Sequence, residues 1–322
     1  MTSLKTTKKE SQNMKKSNFL IVFISIFIVF VNLAKADSII NFNDNIESSK
    51  KDSITLAQNA TKEIKTQKKI KNEVVNGATF IAVTSDKNPQ NLKLNKKTYR
   101  WVAHPTDSEK KIAFVSISYY EKPKSLNLGD NITLEIKQGE YKKEKIKIQD
   151  KSKVTPDNAA SKRIKAELDE ANKIYNTYDK TRYWREKFGL PLEKIDISSP
   201  FGGARVYNDG AIKSYHAGTD MRAVVGTSVF AVNDGVVVLA KERYLAGGSV
   251  IVSHGEGVFS MYYHLSEFNV KVGDKVKKGQ IVAKSGNTGR SSAPHLHLSM
   301  MVNGTLVDPF DFMDKINALI EK

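Results

Sequence analysis

The 322-residue chain contains no cysteine. It can form no disulfide, and any metal it binds must be held by histidine and carboxylate rather than by thiolate. Long apolar runs are also missing. The most apolar stretch, 19–31, is short of the roughly 20 residues that a membrane-spanning helix needs. No P-loop and no G-x-G-x-x-G is present, so the usual signs of a phosphate-bearing organic cofactor are lacking and none is expected. There is no internal repeat. The positive charge comes without an RNP-like aromatic pattern, zinc-finger spacing or a basic recognition helix, which argues against nucleic acid as a partner.

That charge is unevenly spread. The chain has 51 Lys and Arg against 35 Asp and Glu, a formal +16. Over 196–322 the counts are 13 and 12, which leaves 38 basic and 23 acidic residues in the first 195. A basic N-terminal part beside a neutral C-terminal part suits electrostatic contact with an anionic wall or membrane. The N-terminus agrees with an extracytoplasmic setting. Lys5, Lys8, Lys9, Lys15 and Lys16 precede the apolar run, and Ala34-Lys35-Ala36 closes it. Residues 1–36 therefore read as a signal peptide cleaved after Ala36, with an uncleaved anchor as the alternative. Either way the remainder is expected to be exported, to the periplasm or cell envelope.

Four segments follow. Residues 37–72 are lysine-rich with few large apolar side chains, and read as a flexible basic tether. Residues 73–150 carry short β-branched and aromatic runs such as Ile112-Ala113-Phe114-Val115 between turn signals, which predicts a small β-sandwich. Over 159–189 the period changes: Ile164, Leu168, Ala171, Ile174, Tyr175 and Tyr178 recur at three and four, predicting an amphipathic helix that connects and braces two domains. From 197 to 312 short strands alternate with glycine-rich turns. The fold class is thus mainly β: a small N-terminal sandwich, a connecting helix and a C-terminal antiparallel sheet domain.

Five of the six histidines, His216, His254, His264, His295 and His297, lie in that last segment. His295 and His297, two apart in an apolar run, would share one face of a strand. His216 and Asp220 form a second pair upstream. A water-activating metal site needs three N or O ligands and an open position, with titratable groups beside it. His216, Asp220 and one of the last two histidines can supply the ligands, while His264 and the other remain for proton transfer. His254, at a turn, and the distant His104 are expected to be structural.

Ser199-Pro200-Phe201-Gly202, His216-Ala217-Gly218-Thr219-Asp220, Tyr262-Tyr263-His264-Leu265-Ser266, the run Val272 to Gln280, Gly286-Asn287-Thr288-Gly289 and His295-Leu296-His297 occur in an order that closely resembles the LytM/lysostaphin-type zinc metallopeptidases, family M23. The resemblance covers 197–312, and the preceding β region resembles the accessory part of Gram-negative members. It implies Zn2+ held by His216, Asp220 and His297, with His264 and His295 as the catalytic pair. The implied activity is hydrolysis of peptide cross-links in peptidoglycan, D-Ala–meso-diaminopimelate rather than glycine bridges. The alternative is a non-enzymatic wall-binding regulator or amidase activator with the same fold. A lipoyl-type carrier, suggested by the Val272 to Gln280 hairpin alone, has no use for five histidines. Relatives can also be covered by their accessory region, so deletion of 37–158 is expected to raise activity. After the second histidine this chain reads Leu298-Ser299-Met300-Met301 where many relatives have an aromatic residue or Glu, a departure expected to touch the groove or core and not the ligands.

Overall fold

The computed structural model describes residues 72–129, 132–207, 210 and 212–321. The expected leader, and the tether except for Asn72, lie outside the described residues. The principal elements are β1 (Asn72–Val75), β2 (Thr79–Thr84), β3 (Lys111–Ser116), β4 (Thr133–Lys137), β5 (Lys143–Ile146), α1 (Asn158–Tyr175), β6 (Ala204–Tyr207), β7 (Thr219–Arg222), β8 (Gly235–Arg243), β9 (Gly247–Gly255), β10 (Val258–Leu265), β11 (His295–Val302) and α2 (Pro309–Ile320). The mainly β expectation holds. The largest sheet runs β7-β11-β10-β9-β8, every neighbour antiparallel, with Ile197–Ser199 and Lys275–Val276 at its two ends.

This sheet is covered on both faces. All nine residues of β9 are buried, which explains why Val250-Ile251-Val252 is a continuous apolar run rather than an alternating one. Val250 and Val252 join a core with Tyr262, Leu296, Leu298 and Phe312. Ile251 faces the other way, packing with Leu239, Phe259 and Met261 under Ile174 and Tyr175 of α1.

Strand β3 is the second element buried on both faces. Ala113 and Val115 face a local core with Val74, Leu134 and Ile136. Ile112 and Phe114 instead enter the large core of the C-terminal sheet, where Phe114 meets Trp184 and Phe312 with ring centroids 6.5 and 5.9 Å apart. Polar contacts reinforce the junction. Thr79 N–H donates to Asp311 of α2 at 3.1 Å, and Asn303 donates to the Phe114 carbonyl at 2.9 Å. The N-terminal β region and the C-terminal sheet therefore share apolar core.

The helix is shorter than periodicity predicts. Asp157 caps α1 by accepting from Ala160 N–H, and Asn176 ends it, where the Thr177 hydroxyl donates to the Ile174 carbonyl. Leu168 stays 53% exposed, so only the C-terminal turns of the expected stripe pack. Residues 176–190 run irregularly because their aromatics serve the core: Trp184 is wholly buried, its ring centroid 5.8 Å from that of Phe188 with the two planes tilted. Arg182 in this segment pairs with Glu256 at 2.7 Å and donates to the Ala103 carbonyl. The bracing expected of the helix is done by the strap that follows it.

A second difference concerns β5, expected as part of the sandwich. It pairs in parallel with β6 instead. The sequence Lys143-Glu144-Lys145-Ile146 has too little apolar surface to enter a sandwich core, but it can extend an exposed sheet edge through its backbone. That pairing carries Glu144 to the site described next.

Candidate metal centre and cleft

Three adjacent strands build the centre. In the β7–β11 register Asp220 lies opposite His297, and in β10–β11 Tyr263 lies opposite His297. His295 and His297 share the outer face of β11, as expected, while Leu296 and Leu298 point into the core, fully buried. His216 enters from the turn before β7. Its Nε2 lies 2.9 Å from Asp220 Oδ1 and 3.1 Å from His297 Nδ1, and those two atoms are 2.7 Å apart. Tetrahedral zinc with bonds near 2.0–2.1 Å would hold its ligand atoms roughly 3.3 Å from one another, so this triangle needs only slight opening.

The partners behind the triangle decide which atoms carry lone pairs. His216 Nδ1–H donates to the Pro200 carbonyl at 2.9 Å, leaving Nε2 bare. The Ser299 hydroxyl donates to the Ala217 carbonyl at 2.9 Å, so its oxygen accepts from His297 Nε2–H at 2.7 Å and Nδ1 is left bare. Asp220 Oδ2 accepts from Arg205 at 2.7 Å, which turns Oδ1 inward. Three acceptors then face each other, an arrangement that calls for a cation, and two imidazoles with one carboxylate form a zinc-type donor set. Ser299 thus acts on a member of the triangle, correcting the expectation that the departure after His297 would touch only groove or core.

Gly218 makes the approach of β7 to β11 possible. A Cβ there would lie 2.4 Å from the Leu298 carbonyl oxygen and 2.5 Å from both His297 Nε2 and Ser299 Oγ. Arg205 is fixed from behind by Glu144 of β5, Nε to Oε2 3.0 Å, and by the Ser199 hydroxyl at 2.9 Å. Burial would raise the Asp220 carboxyl, but the close imidazoles of His216, His295 and His297 outweigh it and hold Asp220 well below the usual carboxylate range.

His264 and His295 stand together at the side of the triangle, ring centroids 4.7 Å apart. His264 has a left-handed backbone (φ 62°), an uncommon and strained state for a residue with a side chain. Its Nδ1–H donates to the Thr288 carbonyl at 2.7 Å, so Nε2 is the free acceptor. Burial, with the nearby charges of His295 and His297, lowers it to about 3. His295 donates from Nδ1 to the Ala293 carbonyl at 2.7 Å, and its Nε2 lies 3.5 Å from Asp220 Oδ1. Burial opposes its charge, but Asp220 prevails and raises it.

These groups line a cleft of about 610 Å³, whose far wall includes Ile146 and Ile148 from β5 and the turn after it. His254 is wholly buried elsewhere, with Nδ1 2.7 Å from the Asp234 carbonyl and Nε2 2.8 Å from the Ser260 hydroxyl. His104 binds its own turn, accepting from Asp107 N–H at 3.1 Å. Reasoning from sequence missed Arg205, Ser299 and Glu144. An arginine in the glycine-bearing loop before His216 was the available sign for the first; Glu144, 55 residues before Ser199, left none.

Residues 214–309 match the Peptidase family M23 profile. The chain is 41% identical over 115 residues to the peptidoglycan DD-endopeptidase ShyA of Vibrio cholerae, covering 36% of this chain and 27% of that protein. It is 47% identical over 104 residues to the glycyl-glycine endopeptidase ALE-1 of Staphylococcus capitis, covering 30% and 29%. The chain thus spans less than a third of the length of these relatives. A Pseudomonas aeruginosa structure assigned to peptidase M23 superposes with a TM-score of 0.59 at 25% identity, over 74% of this chain and 94% of that one. That coverage extends well beyond the C-terminal sheet. The ordered motifs, the His-Asp-His triangle and the profile match agree: the chain carries a Peptidase family M23 domain over residues 214–309.

Proposed function

We infer that this protein is an exported zinc endopeptidase that hydrolyses peptide cross-links of peptidoglycan. The observation that carries the reading is the convergence of His216 Nε2, Asp220 Oδ1 and His297 Nδ1 as three bare acceptors within 4.8 Å, beside two further histidines in an open cleft. In this reading those three atoms hold the zinc. Zinc supplies Lewis acidity and an acidified water when bound.

The rest is done by the chain's own side chains. His264, neutral and with Nε2 free, takes the proton from the attacking water. His295, whose proton is favoured by Asp220, donates to the developing oxyanion and then to the leaving amine. Arg205 keeps Asp220 ionised and turned inward, and the carbonyls of Thr288 and Ala293 hold each catalytic ring in one orientation. Ile146 and Ile148 provide an apolar wall against which a peptide stem can lie.

The relatives named above cut different bonds, DD-cross-links in one and glycyl-glycine in the other. The D-Ala–meso-diaminopimelate bond is favoured here because one of these relatives is a DD-endopeptidase and the chain carries an accessory β region ahead of its peptidase domain. Such a substrate places the enzyme in the periplasm or cell envelope, where the basic first 195 residues would add contact with anionic wall or membrane. The test is mass spectrometry of sacculi digested with zinc-loaded protein and with His264→Ala. Loss of muropeptide dimers with wild type alone is expected. Dimers left intact while a control endopeptidase cuts them would end the proposal.

A further inference from the structure

The cleft is lined by three arginines, Arg205, Arg222 and Arg290, and two of them are already engaged. Arg205 is shared between Asp220 and Glu144. Arg222 pairs with Asp196 at 2.9 Å. Among the described residues, no Asp or Glu lies in ion-pairing reach of Arg290.

Arg290 is nevertheless held in place. Its guanidinium carbon lies 4.6 Å from the centre of the Tyr207 ring, and Tyr207 is itself buried beside Ile148 and Val154. Its backbone N–H donates to the Leu245 carbonyl at 2.8 Å. Gly289 before it packs so closely that a Cβ would lie 2.3 Å from the Gly247 nitrogen. A guanidinium with one face on an aromatic ring keeps its N–H edge free, and that edge matches a carboxylate in two parallel hydrogen bonds. It lies on the same cleft as His264 and His295, on the loop that leads into His295.

We propose that Arg290 is a carboxylate subsite, selecting cross-linked peptides that bear a free acid group close to the bond to be cut. The proposal rests on the endopeptidase reading. It extends that reading by naming the feature of the substrate that this chain recognises and the residue that recognises it. A neutral, amidated or glycine-only cross-link offers no such anion and would bind without this contact.

The experiment uses full-length zinc-loaded protein carrying His264→Ala, so that binding is read without cutting. Calorimetry compares one cross-linked peptide dimer in its free-acid form and with that carboxylate amidated. The free acid should bind about tenfold more tightly, the size of one charge-assisted pair in a half-exposed site. Adding Arg290→Gln should bring the ratio to about one, and Arg290→Lys should leave a part of it. Equal affinities in the parent, or a ratio that Arg290→Gln leaves unchanged, would overturn the subsite. No binding of either form overturns subsite and endopeptidase together. Preference for the free acid, in a chain that fails to cut that dimer with His264 restored, supports the subsite and removes only the endopeptidase reading.

Discussion

Replacing Ser299 by alanine isolates what the partners behind the metal triangle contribute. The Ser299 hydroxyl is buried between His297 Nε2, 2.7 Å away, and the Ala217 carbonyl, 2.9 Å away. Without it, the imidazole N–H has no acceptor and the ring loses the contact that keeps Nδ1 bare and aimed at Asp220 Oδ1. A buried polar group left unpaired costs about 1–3 kcal/mol. Loss of a partner behind a metal ligand typically weakens metal binding about 10–100-fold, or roughly 1.4–2.7 kcal/mol. The two figures agree because they describe the same event, a ligand that must find a new orientation. Competition for zinc against a chromophoric chelator measures the ratio of dissociation constants directly. Thermal melts with excess zinc and with EDTA give a second measure, since zinc-dependent stabilisation should shrink by the same amount at equal free zinc. A Ser299→Ala affinity within twofold of wild type would show that His297 does not depend on this hydroxyl, and the lone-pair assignment would fall.

Gly218→Ala should lose zinc affinity more severely and destabilise the fold by about 1–3 kcal/mol, because its methyl would press on His297, Ser299 and the β11 backbone at once; unchanged melting and zinc titration would contradict this. His254 gives a pH effect. Burial lowers it from 6.5 to about 4, so as pH falls below 6.5 the unfolded chain binds a proton that the folded chain refuses. Stability from this group is complete above 6.5 and is lost by about 3 kcal/mol on reaching pH 4. In EDTA, the stability gap between wild type and His254→Asn should therefore narrow across that window, and parallel curves would refute the assignment. Phe114→Ala should cost about 3–5 kcal/mol and lower the unfolding of the C-terminal sheet with that of the β region; two separate transitions by calorimetry would contradict a shared core. For the same reason deletion of 37–158 should give an unfolded or aggregated product rather than a more active one, which circular dichroism would show.

The donor set of the triangle was legible in the sequence because it depends on residue type and local period. Two histidines at a spacing of two share a strand face in any sheet, and a cysteine-free chain leaves few ways to bind a catalytic metal. The turn before Asp220 could also be anticipated, since Gly218 argues against a helix. The mainly β class followed from short apolar runs between glycine turns.

What surrounds the triangle was decided only by folding. Ile112-Ala113-Phe114-Val115 reads as one strand of a small sandwich, but alternation cannot say that its second face finds Trp184 and Phe312 rather than a neighbouring sheet. The helix expected over 159–189 stops at Tyr175, because burying Trp184 in the common core outweighs the hydrogen bonds that a longer helix would add. Glu144 reaches Arg205 across 61 residues because an edge strand needs backbone partners, a requirement carried by no particular side chain. Ligand identity is a property of residue types, whereas the orientation and protonation of those ligands belong to contacts between strands distant in the chain.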